Sequence, residues 1–281
     1  MRIIVPTDFT NTSANAAQYA LELTKATRLP ISLIHAYHIA PQEVVKGNNA
    51  EHIKKERTEK LNLFRDELNL SPKSSKEATI DICLENGLAG DIILDTAKRL
   101  ADSWIVMGTT HKKDRLKRLF GSISTRVALE SSCPVLLVPE QMKFRPINKI
   151  AFCLAHDDLN EHSINEITKL ANLHNSELYL FHVLTSDKRL DYEKVMPLIR
   201  RHYPNRPIHF VNLGSPSHSK DKAEMILQYS GAYKIDLLAL EKSKGGLFHD
   251  IFHKSFTKKM ALSTDLPLFP RSVETPKISA A

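Results

Sequence analysis

The stretch Ile3-Ile4-Val5-Pro6-Thr7-Asp8-Phe9-Thr10 contains the change of pattern that decides the fold of this chain. Its three β-branched residues predict a short buried strand, which Pro6 ends. Thr10 and the polar residues after it are suitable caps for an alanine-rich helix predicted to run to about Thr27. A buried strand that leads directly into a helix is the first part of a βαβ unit and indicates a parallel sheet.

The same alternation continues through the first half of the chain. Further strands are predicted at 31–36, 78–84, 104–107 and 135–138, and further helices at 51–68, 91–100 and 122–130. Helices of about ten residues or more between strands are typical of crossover connections. We therefore expect an open parallel sheet with helices on its faces.

The second half repeats the first in the same order. The matching positions are Ile3 with Ile150 and His35 with His182 at an offset of 147 residues, and Ser122 with Ser255 and Pro134 with Pro267 at an offset of 133. Matching elements in one order indicate a duplicated domain. We expect domains at 1–140 and 147–281, joined by the polar, basic segment 141–146.

Composition excludes several classes of protein. The 281 residues are 42% hydrophobic and 25% charged, which is typical of a globular protein with about two domains. The three cysteines, Cys83, Cys133 and Cys153, form no CxxC pair, so neither a disulfide scaffold nor a zinc ribbon is expected. The sequence opens directly into a predicted strand, so no secretion signal is expected. It has no apolar run of membrane-spanning length, and we expect a cytoplasmic protein with no membrane partner.

The formal charge of +7 raises the question of nucleic acid binding. Residues 1–140 carry 19 Lys and Arg against 17 Asp and Glu, and residues 141–281 carry 20 against 15, so the excess is dispersed. One basic cluster lies at 112–118, but no aromatic side chains alternate with its charges. We therefore expect no nucleic acid partner.

Candidate ligand-binding residues follow two of the predicted strands. An open parallel sheet binds ligands beyond the carboxyl ends of its strands, where the strand order reverses, which for a sheet of this kind lies between the first and fourth strands. Asp8 follows the end of the first strand, where a carboxylate is suited to accept hydrogen bonds from ribose hydroxyls. Gly108 ends the fourth strand and lets the backbone approach a ligand closely.

A third feature comes thirteen residues after Gly108, where Gly121 and Ser122 open a helix. The N-terminus of a helix binds anions, and the hydroxyl groups of Ser122 and Ser124 add donors for phosphate oxygens. Together with Asp8, these residues predict a nucleotide site. Each feature alone also has a structural interpretation, as a helix cap, a strand end or an ordinary helix start.

These residues resemble the universal stress protein family. The resemblance rests on Ile4-Val5-Pro6-Thr7-Asp8-Phe9-Thr10, Leu33-Ile34-His35-Ala36, Val106-Met107-Gly108, Gly121-Ser122 and Cys133-Pro134-Val135, and it spans nearly the whole chain as two tandem copies. It implies two tandem flavodoxin-like, adenine nucleotide alpha hydrolase-like α/β domains. Each would be a five-stranded parallel sheet in the order 3-2-1-4-5 with helices on both faces. It also suggests that the fifth strands, 135–138 and 266–269, pair in a pseudo-dimer.

The ATP-binding branch of this family carries G-x2-G-x9-G-[ST] after the fourth strand, and His111 stands here in place of the middle glycine. The resemblance implies ribose binding by Asp8, adenine binding by the Ala36 backbone, phosphate binding by Gly108, Gly121, Ser122 and Ser124, and a pocket lined by Pro6, Thr7 and Met107. His111 either crowds the phosphates or donates a hydrogen bond to one of them.

The second copy departs further from this pattern. Ala155 matches Asp8, Glu241 matches Gly108, Lys244 matches His111 and Lys254 matches Gly121. We therefore expect a degenerate domain with a structural role or a different ligand. Nine of the thirteen histidines lie in this half, and His249 and His253 are spaced as on one helix face. No complete metal-ligand spacing appears, so no metal site is expected.

The resemblance implies a stress-response protein that binds ATP or a related adenine nucleotide, with Mg²⁺ left open, and that acts by binding and regulation rather than by turnover. The sequence contains no motif that pairs a nucleophile with a base, so no catalytic residue is assigned and an enzyme is not expected. Two alternatives stay open: a scaffold that engages protein partners without nucleotide, and a slow ATPase. Homodimerisation also stays open.

Overall fold

The computed structural model describes residues 1–39, 50–70, 79–100, 102–110, 123–154, 161–182, 192–213, 222–242, 259–260 and 263–272. The chain divides into two compact units, Met1–Phe144 and Arg145–Ala281. The division between them falls inside the segment 141–146.

The amino-terminal unit alternates strands and helices. Its strands are β1 (Ile3–Pro6), β2 (Ile31–Tyr37), β3 (Ile80–Asn86), β4 (Trp104–Thr109) and β5 (Val135–Pro139). Its helices are α1 (Asn11–Thr27), α2 (Ala50–Leu70), α3 (Ala89–Arg99) and α4 (Ile123–Glu130). All strand pairs are parallel and the order is β3-β2-β1-β4-β5, which confirms the expected α/β fold.

Four strands of this unit extend further toward their carboxyl ends than the sequence predicts. β2 continues to Tyr37, β3 to Asn86, β4 to Thr109 and β5 to Pro139. Polar residues, a glycine and a proline interrupt the apolar run at these ends, and an apolar run is what marks a buried strand in a sequence. The backbone nevertheless continues its pairing, because side-chain polarity does not prevent ladder hydrogen bonds.

Helix α1 packs closely against the middle of the sheet, where it contacts β1, β4 and β5. The small side chains of Ala16, Ala17 and Ala20 are buried on its inner face, which allows the close approach. Thr10 caps its N-terminus by accepting a hydrogen bond from the Ser13 N–H at 3.3 Å. This cap fixes where α1 starts relative to the end of β1.

The crossovers of the sheet determine the helix layers. Right-handed connections place α1 and α2 on one face and α3 and α4 on the other. The contacts agree with this arrangement, because α3 packs against α4 and β2, while α2 packs against β3 and β2. The carboxyl end of β1, in the middle of the sheet, is therefore flanked by β2 and β4.

The carboxy-terminal unit repeats this arrangement. Its strands are β6 (Lys149–Leu154), β7 (Glu177–His182), β8 (Ile208–Asn212), β9 (Leu237–Lys242) and β10 (Leu268–Ser272), and its helices include α5 (Glu161–His174), α6 (Tyr192–His202) and α7 (Lys222–Ala232). The strands are parallel, in the order β10-β9-β6-β7-β8.

The strand registers of the two units match at the offsets found in the sequence. Ile3 pairs with Ile31 in the first unit, and Ile150 pairs with Leu178 in the second, so both partners are shifted by 147 residues. The pairs of β4 with β5 and of β9 with β10 are related by 133 residues. The duplication therefore extends to the hydrogen-bond registers, and the pairing of the two fifth strands stays a prediction.

Among the helices that the structure describes, none combines the length and the apolar character that a bilayer span requires.

Candidate functional site

The site predicted from the sequence lies where β1 separates from its neighbours. β1 pairs with β2 from Ile3 to Pro6, but its pairing with β4 covers only Ile3 and Ile4. After Ile4 the register with β4 is lost, while β4 continues to Thr109. The reversal of strand order lies at this point, and open α/β sheets bind ligands there.

Asp8 lies directly after β1 and is exposed. Its Oδ1 accepts hydrogen bonds from the Thr10 N–H at 3.1 Å and from the Thr10 hydroxyl at 2.6 Å. Partial burial raises the pKa of Asp8, but hydrogen bonds from Thr10 and Ser13 lower it by more, so the pKa lies below its ordinary value of 3.8. The carboxylate is therefore ionised at neutral pH and fixed in orientation by the cap of α1.

Thr7 is buried, and its hydroxyl is engaged within the protein. Thr7 Oγ1 accepts from the Phe9 N–H at 3.1 Å and lies 3.1 Å from the Ser13 hydroxyl. Phe9 has a φ of 63°, an uncommon conformation for a residue with a bulky side chain. The side chain of Thr7 thus stabilises the sharp turn between β1 and α1.

The ladder between β1 and β2 ends at the Thr7 N–H, which donates to the Ile34 carbonyl oxygen at 2.8 Å. In a regular parallel ladder, the next two bonds would join the Ala36 N–H to the Thr7 carbonyl oxygen and the Phe9 N–H to the Ala36 carbonyl oxygen. Both partners from the β1 side are engaged elsewhere. The Thr7 carbonyl oxygen accepts from His35 Nδ1 at 2.9 Å, and the Phe9 N–H donates to Thr7 Oγ1.

The N–H and C=O of Ala36 consequently point to the side of β2 where β1 lies, beyond the point at which their pairing ends. Successive residues of a parallel strand bond to opposite neighbours, and the Tyr37 carbonyl oxygen bonds toward β3 by accepting from the Gly87 N–H at 2.8 Å. Within the described part of the chain, no hydrogen bond joins Ala36 to β1 or to the turn after it. Half-buried Ala36 therefore offers one donor and one acceptor side by side.

His35 lies beneath this turn, is buried and packs against Phe9. Its ring lies 4.4 Å from the ring of Phe9, which also contacts Phe64 of α2 at 5.9 Å and has the Lys60 ammonium 4.5 Å from its centre. Burial lowers the pKa of His35 below its ordinary value of 6.5, and the charges of Arg57 and Lys60 lower it further, although the Thr7 carbonyl and Asp8 raise it. Because Nδ1 faces a carbonyl oxygen, the neutral ring carries its proton on Nδ1.

Packing within the protein is enough to require a glycine at position 108. A Cβ atom at this position would lie 2.5 Å from the carbonyl oxygen of Thr12 and 2.6 Å from its Cγ2 atom. The close approach that Gly108 permits in this structure is therefore that of the first turn of α1 to β4.

The structure brings together part of the site predicted from the sequence. Pro6, Thr7, Asp8 and Ala36 surround the carboxyl end of β1, Met107 and Gly108 lie near the end of neighbouring β4, and Ser124 is buried in the first turn of α4. His111, Gly121 and Ser122 lie outside the described residues, so the phosphate part of the site stays a prediction. No role of the His35 side chain was predicted from the sequence, although its repetition as His182 was a signal.

The second unit can be compared at one position of this site. The strand registers place the backbone of Glu241 in β9 where Gly108 lies in β4. Ala155, Lys244 and Lys254 lie outside the described residues, as do His249 and His253. Among the residues that are described, no group of three or more His, Cys, Asp or Glu side chains is arranged to hold a metal ion.

Comparison with known proteins agrees with this architecture. The profile described as "Universal stress protein family" matches residues 1–139. A universal stress protein from Methanocaldococcus jannaschii is 28% identical over 149 residues, which cover 50% of this chain and 84% of that protein. The crystal structure of a universal stress protein from Archaeoglobus fulgidus has a TM-score of 0.70 at 16% identity, with coverage of 95% of this chain and 94% of that one.

At this identity, the Archaeoglobus structure shows a shared fold and no more. A universal stress protein crystallised in complex with cAMP covers 49% of this chain and 96% of its own, at 21% identity and a TM-score of 0.39, too weak a likeness to carry an argument. Residues 1–139 therefore belong to the universal stress protein family.

The contact at Gly108 gives a prediction about stability. We expect Gly108→Ala to lower the free energy of unfolding by about 1–3 kcal/mol, because the added methyl group overlaps backbone atoms of Thr12 that cannot rotate away. Gly90→Ala is the matched control, since its methyl group would meet only the end of the flexible Arg126 side chain. Urea denaturation should leave that variant within about 1 kcal/mol of the wild type; equal stability of both variants would contradict the contact.

The lowered pKa of His35 gives a prediction about pH. A histidine whose pKa is lower in the folded state than in the unfolded chain contributes its full stability above pH 6.5, and this contribution is lost as the pH falls below that value. We expect His35→Asn, which keeps an N–H donor but does not titrate, to lose less stability than the wild type between pH 7.5 and 5. His174, whose pKa burial also lowers, contributes equally to both proteins. Parallel denaturation midpoints across this range would contradict the assignment.

Proposed function

We propose that the amino-terminal unit binds an adenine nucleotide at the carboxyl end of β1 and that the protein acts through this binding rather than through turnover. The observation that carries the proposal is the backbone edge of Ala36, which no hydrogen bond within the described part of the chain joins to β1 or to the turn after it. This edge lies on the strand next to the ionised carboxylate of Asp8. Both lie at the reversal of strand order, where sheets of this class bind ligands.

The edge of Ala36 is complementary to adenine. Adenine presents a ring-nitrogen acceptor, N1, beside an amino donor, N6, and these match the N–H and C=O that Ala36 offers. Guanine presents the reverse order at the same edge, an N–H donor beside a carbonyl acceptor, and would place donor against donor. We therefore expect adenine to be preferred over guanine.

Asp8 is suited to bind the ribose of the nucleotide. An ionised carboxylate accepts hydrogen bonds from neighbouring hydroxyls, and such charge-assisted bonds are stronger than neutral ones. Its orientation is fixed in advance by Thr10, so binding need not order this side chain.

The phosphate groups are assigned to residues after β4. We propose that Gly108, Gly121, Ser122 and Ser124 hold them near the N-terminus of α4, as the family resemblance implies, with Mg²⁺ as an accompanying ion. His111 either donates a hydrogen bond to a phosphate group or crowds it. ATP is the nucleotide that this set would fit.

Binding without turnover is supported by the state of the groups at the end of β1. The lowered pKa of Asp8 makes it a weak base. The Thr7 hydroxyl accepts from the Phe9 N–H and lies 3.1 Å from the Ser13 hydroxyl. Neither the Asp8 carboxylate nor the Thr7 hydroxyl is therefore suited to activate a water molecule.

The proposal is tested by calorimetric titration of the full chain with ATP, ADP, AMP and GTP, with and without Mg²⁺. We expect saturable binding of adenine nucleotides and weaker binding of GTP. A preparation that contains no nucleotide and binds none of the four would overturn the proposal and favour the scaffold alternative. Release of phosphate above background would favour the slow ATPase.

Asp8→Asn separates charge from structure at this site. The amide oxygen can still accept from Thr10, so the turn should be kept, but the loss of negative charge should weaken ATP binding about tenfold to a hundredfold. Asp95→Asn, on the exposed surface of α3, is the matched control and should bind as the wild type does. Equal ATP affinities of Asp8→Asn and Asp95→Asn would show that the Asp8 carboxylate does not bind the nucleotide.

A further inference from the structure

The end of the β1–β2 ladder depends on two side-chain contacts. The Thr7 carbonyl oxygen, which a regular ladder would join to the Ala36 N–H, accepts from His35 Nδ1 at 2.9 Å. The Phe9 N–H, which a regular ladder would join to the Ala36 carbonyl oxygen, donates to Thr7 Oγ1 at 3.1 Å. Each contact occupies one backbone group that would otherwise pair with Ala36.

We propose that His35 is a positioning residue for base recognition: its imidazole occupies the Thr7 carbonyl oxygen and so keeps the Ala36 N–H available to the adenine ring. This inference rests on the nucleotide binding proposed above. It explains why the Ala36 N–H does not bond to the Thr7 carbonyl oxygen, although the two groups are in register.

The competing pairing is close in space. Ile34, two residues before Ala36, already bonds to the Thr7 N–H, so the regular bond from the Ala36 N–H to the Thr7 carbonyl oxygen would add only one further step to the same ladder. A buried carbonyl without a partner is costly, and in the absence of the imidazole the Ala36 N–H is the nearest backbone donor in register. Without His35, the ladder would therefore extend and occupy the base-binding edge.

Contacts with neighbouring groups fix the orientation and the protonated form of the His35 ring. Packing against Phe9, which in turn contacts Phe64, fixes the plane of the ring. The contact with a carbonyl oxygen selects the Nδ1–H form of the ring. The Thr7 hydroxyl also keeps the Ala36 edge open. It accepts the hydrogen bond of the Phe9 N–H, which therefore does not bond to the Ala36 carbonyl oxygen.

The second unit carries only part of this arrangement. His182 lies at the position of His35, but Leu154 replaces Thr7 and has no hydroxyl to accept the next N–H along the chain. The two units therefore differ at the end of this ladder, in addition to the difference between Gly108 and Glu241.

The first test measures the Ala36 amide in the nucleotide-free full chain by hydrogen exchange. We expect the Ala36 N–H of the wild type to exchange at least tenfold faster than the Ile34 N–H, and to be protected in His35→Leu, where it pairs with the Thr7 carbonyl oxygen. His35→Asn keeps a donor at the same distance along the side chain and should restore fast exchange. Equal protection of Ala36 in the wild type and in His35→Leu would overturn the inference, whether or not nucleotide binds.

The second test uses base preference, which a merely structural role would not change. We expect His35→Leu to lose about tenfold or more of its ATP affinity while GTP affinity changes little, so that the preference for adenine falls. His35→Asn should restore the preference. An unchanged ratio of ATP to GTP affinity in His35→Leu would overturn the inference, whereas absence of ATP binding by the wild type would overturn the proposed function.

Thr7→Val provides a second variant in case His35→Leu does not fold. It removes the acceptor for the Phe9 N–H while keeping the shape of the side chain. We expect this N–H to bond to the Ala36 carbonyl oxygen, which lowers ATP affinity and again reduces the preference over GTP. Wild-type affinity and preference in a folded Thr7→Val variant would contradict the arrangement described here.

Discussion

The hydrogen bond from His35 to the Thr7 carbonyl oxygen determines where the central ladder of the amino-terminal unit stops. Parallel strands tend to pair along their full shared length, because each unpaired buried backbone group costs free energy. Here a side chain replaces one backbone partner, and β2 projects beyond β1 with an unpaired edge at Ala36. The turn after β1, the cap of α1 and the orientation of Asp8 all begin at this point.

Much of the fold could be predicted from the sequence because apolar runs and helix caps are local signals. The parallel sheet followed from the alternation of elements and the duplication from offsets such as Ile3 with Ile150. The strand order followed from the family resemblance. The carboxyl ends of β2, β3, β4 and β5 lie one or two residues beyond the predicted ends, since the ladder continues past the apolar run. The position of Asp8 at the end of β1 was also predictable, because Pro6 marks that end.

Two features of the site could not be predicted from the sequence. The role of His35 depends on the register between two strands, and a histidine in an apolar run reads equally well as a buried polar residue. The approach of Thr12 to Gly108 depends on the packing of a helix across the sheet, and the glycine alone does not show which neighbour needs the space. Both are properties of pairs of residues far apart along the chain.

The contact between Gly108 and Thr12 changes how the first glycine of the family signature should be interpreted. In this unit any side chain at position 108 would push the first turn of a helix away from the sheet, whatever the ligand. A relative that retains this glycine is therefore not shown by it to bind nucleotide, since selection for a stable domain would retain it as well. The Asp8 carboxylate is exposed and hydrogen-bonds to Thr10 and Ser13 at the start of the adjoining helix, so it is the better indicator of ligand binding among related sequences.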